Sequence, residues 1–215
     1  MARNQSSLIV RRVAPLLLVG LTLACSTPAP DDAGYVKRIE ERRVATNLAF
    51  SDPNREPNIP REQQADYLPL AYYPVNLQFH VPAVLKPART RETVEIPTST
   101  GPVRRMERIG RLEFTVNGQQ LGLSAFSEPG SGRLFVPFRD QTSKSDTYPG
   151  GRYLDLDPTP TGLYEVDFNL AYHPYCYFNS GFECPYPPPE NRLPVAILAG
   201  EKLSEKKRAE LNPGD

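Results

Sequence analysis

From Val75 onward the chain alternates between apolar and polar positions. In Val75-Asn76-Leu77-Gln78-Phe79-His80-Val81 the odd positions are apolar and the even ones polar, the period-two pattern of a strand with one face in a core. His80 is therefore expected to point away from the core. Leu112, Phe114 and Val116 alternate up to Asn117-Gly118, and Leu121, Leu123 and Ala125 alternate after it. Asn-Gly suits a two-residue type I′ turn, whose central positions both need positive φ. That turn pairs Val116 with Gln119, Phe114 with Leu121 and Leu112 with Leu123, which puts the apolar residues on one face. Further strands are predicted over Arg133–Phe138, Arg152–Leu156, Leu163–Tyr172 and Leu193–Ala199. Pro137 points to a strand edge or a bulge. Short strands separated by turn chemistry, with no alternation of strand and helix, predict an all-β fold: an antiparallel sandwich or partly open barrel.

Upstream, the period lengthens to that of a helix. Tyr35, Val36, Ile39 and Val44 approximate one stripe, and Lys37, Arg38, Glu40, Glu41, Arg42 and Arg43 cover the other sides. This predicts one N-terminal amphipathic helix over about Ala33 to Asn47, capped by Asp31 or Asp32, with the charge run as its solvated face. Ser51 to Pro60, punctuated by Pro and Asn without periodicity, reads as loop.

The first 24 residues carry a different signal. Arg3, Arg11 and Arg12 precede an uncharged apolar stretch, Val13 to Leu23, too short to span a bilayer comfortably. It ends in Leu21-Thr22-Leu23-Ala24-Cys25, which resembles the permissive form of the bacterial lipobox. Cys25 is thus expected to be lipidated and to anchor the chain to a membrane, facing the periplasm or exterior; an ordinary secretory signal cut after Ala24 is the alternative. Acyl chains contribute about 0.8 kcal/mol per buried methylene, so a multiply acylated cysteine holds a domain at a membrane without a spanning helix. The expected organisation is a signal segment over 1–24, a polar tether over 25–34, one domain over 35–202 (helix and loop over 35–71, β core over 72–202) and a charged tail over 203–215.

Composition narrows the functions. Of 215 residues, 24 are Pro and none is Trp, which favours short strands and loops. Removing Arg3, Arg11 and Arg12 from 25 basic residues leaves 22 against 25 acidic ones, a net charge of −3 with no basic patch, so nucleic acid is not an expected partner. No GxSxG elbow, HExxH pair, P-loop or dinucleotide glycine fingerprint occurs. No cofactor or metal is expected, and nothing indicates an oligomeric state.

With Cys25 assigned to the lipid, Cys176 and Cys184 form an even pair, expected to be a disulfide outside the cytoplasm. A metal site with His173 is the weaker reading, because the gap between the cysteines is long for structural zinc. Pro187-Pro188-Pro189 then forces extended backbone, read as a strap that closes the fold. Two polar groupings are candidate sites. One is Arg139, Asp140, Thr142, Ser143, Tyr148 and Arg152, either an anion site or a buried turn network. The other is the face of Glu165, Asp167 and Asn169, surface residues or a polar cluster under the cysteine loop, with Glu190 and Asn191 brought over it.

The ordered series Phe138 to Ser143, Thr147 to Leu154, Val166 to Phe178 and Cys184 to Lys202 resembles the DUF1684 family of bacterial proteins, over about Tyr72 to Lys202. The match covers Phe138, Arg139, Asp140, Thr142, Arg152, Asp167, Phe168, Asn169, Cys176, Cys184, Pro185, Glu190, Asn191, Gly200 and Glu201. It departs at His173, where the family has Asn. The resemblance implies an all-β domain, frequently secreted or lipidated, and implies no reaction. Two function classes follow. One is a non-catalytic envelope lipoprotein, a structural module or a binder of a small molecule or an envelope polymer. The other is a hydrolase or lyase using two of Asp140, Asp167, Glu190 and Glu201 as acid and base. Convergence of Asp167, Asn169, Glu190 and Asn191 with Arg139 or Arg152 in one concave pocket favours binding or catalysis; scattered residues that each cap a turn favour a structural role.

Overall fold

The computed structural model describes residues 32–56 and 58–211. The signal segment, Cys25 and the tether up to Asp31 lie outside the described residues. None of the described helices is long and apolar enough to cross a membrane.

Helix α1 runs Asp32–Ser51 and buries Tyr35, Ile39 and Arg43. These sit four residues apart and so stack on one face. The predicted stripe is corrected here. Val44, about 100° round the helix from Arg43, is 58% exposed, and Arg43, assigned to the solvated run, takes the buried position. Asn47 fastens the same face. Its Oδ1 accepts from the Leu70 N–H at 2.7 Å, and its Nδ2 donates to the Arg43 carbonyl at 3.1 Å. A short helix α2, Gln64–Tyr67, follows the loop.

Six strands form one antiparallel sheet: β1 (His80–Pro97), β2 (Val103–Val116), β3 (Gln119–Ser127), β4 (Leu134–Phe138), β5 (Arg152–Leu156) and β6 (Leu163–Asp167), in spatial order β5-β4-β3-β2-β1-β6. The β2–β3 hairpin keeps the predicted register, with Leu112 opposite Leu123, Phe114 opposite Leu121 and Val116 opposite Gln119. Asn117 and Gly118 take φ of 50° and 77°. The sheet curls until its two edges meet. Beyond β6, Tyr172 pairs with Tyr153 of β5 through reciprocal backbone bonds of 2.9 and 3.1 Å. The result is a partly open barrel. Its core is lined by Leu112, Leu123, Ala125, Val136, Phe138, Val166 and Phe168, all fully buried.

β1 runs on to Pro97 and β2 starts at Val103, both beyond the alternation read from the sequence, and three further differences have a local reason. The strand predicted from Val75 begins at His80, because the Asn76 side chain accepts from the Gln78 N–H and closes a 3₁₀ turn over Leu77–Phe79. The strand predicted to run to Tyr172 stops at Asp167, whose carboxylate accepts from the Asn169 N–H and caps a 3₁₀ turn, Phe168–Leu170. Both are Asx caps competing with the ladder. No strand forms over 193–199. Leu193 and Val195 exchange single backbone bonds with Arg139 and Gln141, and beyond them the carbonyls of Ile197, Ala199 and Glu201 accept from the Arg152 guanidinium rather than from a neighbouring strand. Gly200 turns the chain there. At φ 78°, a Cβ would lie 2.6 Å from the carbonyl oxygens of Phe168 and Ala171, so only glycine fits.

The cysteine loop carries a one-turn helix α3, Tyr175–Phe178. Its Phe178 packs with Ile59 and Leu70, and with Phe50 near the end of α1. The charged tail begins as helix α4, Glu205–Leu211. It docks on α2 through Lys207 over the Tyr67 ring at 4.7 Å and a Lys206–Asp66 ion pair.

Candidate functional site

The first predicted grouping is assembled as a structural network. Arg152 and Asp140 form a buried ion pair at 2.6 Å, their side chains 1% and 0% exposed. The other Asp140 oxygen accepts from the Thr142 N–H at 2.6 Å and from its hydroxyl at 2.5 Å, and the Asp140 N–H donates to Ser143 Oγ. Asp140 is therefore the N-cap of a 3₁₀ turn over Gln141–Lys144. No edge of this pair faces a cleft. Arg139 stands apart: its Nε donates to the Pro149 carbonyl at 3.0 Å, and its guanidinium lies 5.5 Å from the Tyr186 ring.

Asn191 is also structural. It follows the proline strap and enters the gap where β3 and β4 part. Its Oδ1 accepts from the Ser124 N–H at 2.7 Å, and its Nδ2 donates to the carbonyls of Ser124 and Pro137 at 2.8 and 2.7 Å. A side-chain amide thus imitates a strand backbone, which explains how Pro137 is tolerated in β4. Glu190 pairs with Arg108 at 2.9 Å, partly exposed.

Of the second grouping, Asp167 and Asn169 are buried, though not under the cysteine loop, while Glu165 is exposed. The Tyr35 hydroxyl of α1 reaches both oxygens of Asp167 at 2.9 Å. Asn169 donates to the Tyr35 oxygen at 3.0 Å, accepts from the Asn76 N–H and donates to the Asn76 carbonyl. Beside this cluster the Tyr35 ring stacks on His80 at 4.9 Å, and His80 faces Glu165 at 3.1 Å. So Asp167 and Asn169 tie α1 to the barrel. Glu190 and Asn191 share no hydrogen-bond partner with them, and the expected four-residue cluster does not form.

A cleft of about 520 Å³ opens instead between α1 and the closing edge of the barrel. Ile39, Arg42, Arg43, Thr46 and Phe50 line it from α1; Met106, Phe135 and Tyr153 from the sheet; Tyr72, Leu170, Tyr172, His173 and Glu201 from the surrounding chain. Glu201 is its most perturbed acid. Burial raises its carboxyl to about 7, although the His173 N–H, Arg152, Tyr72 and Arg43 all favour the charged form. The His173 N–H lies 2.7 Å from Glu201 Oε2. The His173 ring is fully buried, and desolvation together with Arg152 holds its pKa well below the usual range. Its Nε2 accepts from the Tyr148 N–H at 3.3 Å, so that nitrogen is occupied.

Arg43 is the unusual member. Its guanidinium lies 4.5 Å over the Tyr72 ring, and Nη1 reaches Glu40 at 3.0 Å. Its Nε and Nη2 are buried and have no hydrogen-bond partner among the described residues. Sequence reasoning missed Arg43 because its place in a charge run looks like a solvated helix face; its four-residue spacing from Tyr35 and Ile39 was the available signal.

Cys176 and Cys184 stand side by side as free thiols, Cys184 in the cleft lining. The Cys176 N–H lies 3.2 Å from Cys184 Sγ. The Cys184 S–H favours the ionised form of Cys176, holding its pKa at about 6, and Cys184 is raised in return. Among the described residues no three His, Cys, Asp or Glu side chains are grouped to hold a metal.

The profile of a family described as "Protein of unknown function (DUF1684)" matches residues 65–202. The chain is 34% identical to an uncharacterized protein from gene locus rrnAC0354 of Haloarcula marismortui, known from a solution NMR structure. The alignment covers 80% of this chain and 96% of that one, with a TM-score of 0.63. No curated protein matches the chain. Over the residues that build the sheet, the Asp140–Arg152 network, the Asn191 bridge and the Glu201 side of the cleft, the chain belongs to the DUF1684 family.

Proposed function

We propose that this chain is a lipid-anchored protein of the bacterial envelope whose domain binds a small ligand in the cleft beneath α1. The observation that carries the binding reading is the composition of that cleft: aromatic and aliphatic walls with Arg43, His173 and Glu201 buried in them. Such a pocket, apolar and polar in comparable measure with perturbed groups converging in it, suits a small molecule. A two-carboxylate hydrolase is less well supported. Asp140 is committed to Arg152 and Asp167 to Tyr35, Glu190 lies elsewhere, and of the four only Glu201 lines the cleft. Native mass spectrometry of the chain purified from its own host is expected to show a retained small molecule, lost on mild unfolding; a bare polypeptide mass under all gentle conditions would count against the reading.

The anchor reading rests on the Thr22-Leu23-Ala24-Cys25 motif. Cys25→Ser is expected to move the protein from the membrane to the soluble fraction, and unchanged partitioning would defeat it. In the oxidising compartment this implies, Cys176 and Cys184 are expected to be joined. The adjacency of Cys176 and Cys184 in the fold supports that pairing, and a cross-link over a loop of this size stabilises by roughly 2–3 kcal/mol. Non-reducing peptide mapping is the check: a linked pair of peptides supports it, and two alkylatable thiols would end it.

A further inference from the structure

We infer that the ligand of this cleft is an amphipathic anion, a carboxylate carried on an apolar body, and that the Nε–Nη2 edge of Arg43 receives the carboxylate. The inference deepens the binding reading above and rests on it.

Burying a guanidinium without partners is costly, and buried polar groups left unpaired in a native fold call for an explanation. Arg43 is 8% exposed and keeps one hydrogen bond, from Nη1 to the carboxylate of Glu40. The two nitrogens without partners are not a random pair. Nε–H and one N–H of Nη2 point the same way and form one edge of the planar fork, spaced to meet the two oxygens of a carboxylate. With no bonds to give up, that edge can turn into the cleft on its flexible stem, leaving Nη1 on Glu40.

The rest of the lining agrees with an anion that carries an apolar body. The cleft's own acids are engaged. Glu128 and Glu183 pair with Arg104, Asp155 accepts from the Tyr172 hydroxyl, and Glu201 accepts from the His173 N–H. Glu201 also keeps its proton up to about pH 7, so the cleft does not confront an incoming carboxylate with a bare charge. Arg42 adds a cation on the α1 side. Ile39, Phe50, Met106, Phe135 and Leu170 supply the apolar walls.

The test titrates octanoate, its neutral counterpart 1-octanol, and inorganic phosphate against the purified full chain, read by calorimetry and by the Arg side-chain Nε–H resonances. Octanoate is expected to bind and to shift one Arg resonance, and octanol and phosphate each to bind at least about tenfold more weakly. Arg43→Gln should lose about tenfold for octanoate; Arg43→Lys, which keeps the charge but not the fork, should fall between; Lys37→Gln, exposed on α1 and outside the cleft lining, should change little. Thr46→Trp, which fills the cleft from α1, should abolish binding. Equal binding of octanol, or full octanoate affinity in both Arg43 variants, overturns the carboxylate assignment while a blocking Thr46→Trp leaves the cleft reading standing. Phosphate binding as tightly as octanoate overturns the apolar body. Octanoate affinity untouched by Thr46→Trp defeats the cleft reading itself, and absence of octanoate binding to the wild-type chain overturns the inference. If Arg43→Gln fails to fold, Arg43→Lys carries the comparison.

Discussion

Asp140→Ala is expected to lower the unfolding free energy by about 3–5 kcal/mol, the cost of leaving a buried charge without its partner. Arg152 sits 1% exposed at the point where β5, the Gln141–Lys144 turn and the extended 197–201 segment meet. Its Nη2 holds Asp140 at 2.6 Å and the Ile197 carbonyl at 2.9 Å, and its Nη1 holds the carbonyls of Ala199 and Glu201. Without Asp140 the guanidinium keeps its buried charge with only three backbone carbonyls to hold it, and the 3₁₀ turn loses its cap as well. Arg152→Met should cost a similar amount by a different route, because three backbone carbonyls and a carboxylate lose their donor. Replacing both, as Asp140→Leu with Arg152→Met, removes the unpaired charge and should recover part of the loss. It should not reach wild type, because the carbonyls of 197, 199 and 201 still lack a partner. Urea unfolding followed by circular dichroism measures all three variants. A loss below about 1 kcal/mol in either single variant would show that the pair does not hold this junction. Losses of this size are comparable with the whole stability of a small domain, so partial unfolding at room temperature is an acceptable reading of the same outcome.

These particulars show what could be read from the chain before its fold. Where one force dominated, the pattern was legible. The β2–β3 register follows from alternation and Asn117-Gly118 together, and two independent signals agreed on it. The alternations at Val75 and Leu163 were real, yet Asn76 and Asp167 diverted the backbone into 3₁₀ turns, because a short polar side chain can offer an N–H a closer acceptor than the next strand does. Segment 193–199 reads as a strand, but Leu193 and Val195 bond only briefly to the backbone of Arg139 and Gln141, and from Ile197 on the acceptors turn to a guanidinium, which no periodicity can announce. Five of the polar candidates serve the fold. Arg152, Asp140, Asn191, Asp167 and Asn169 replace backbone partners at junctions. Arg43, Tyr72, His173 and Glu201 come from four distant stretches and meet only because α1 lies across the barrel's closing edge. A site built from such separation leaves no spacing signature in the chain.

The junction of His173 and Glu201 predicts an unusual pH profile. Folded Glu201 holds its proton up to about pH 7, against an ordinary value near 4.5. Its folded pKa is raised, so the stability it contributes is fully present below about 4.5 and is lost as pH rises through 7. His173 has the opposite sign. Its folded pKa is depressed, so its contribution is present above its ordinary value near 6.5 and is lost as pH falls. Between about 4.5 and 6.5 the two slopes oppose each other, and the wild-type profile should be flatter than either alone. Glu201→Gln isolates the first effect. The Gln carbonyl can still accept from the His173 N–H, and Tyr72, Arg152 and Arg43, which face the same carboxyl, remain in place. Subtracting the variant's unfolding free energy from that of the wild type cancels the groups that do not sense Glu201, and His173, 3.6 Å from it, stays neutral in the fold because its pKa is depressed. That difference should become less favourable to wild type by about 3 kcal/mol from pH 4 to pH 8, the linkage value of a shift of this size. The variant alone should gain stability with rising pH up to about 6.5, where His173 of the unfolded chain loses its proton. Urea unfolding at half-unit pH steps, with the cysteines kept oxidised so that Cys176 does not titrate, reads both curves. A difference that stays constant over this range would mean that the folded Glu201 carboxyl ionises like that of the unfolded chain, and that the cleft beneath α1 is wetter and more open than the buried junction described here.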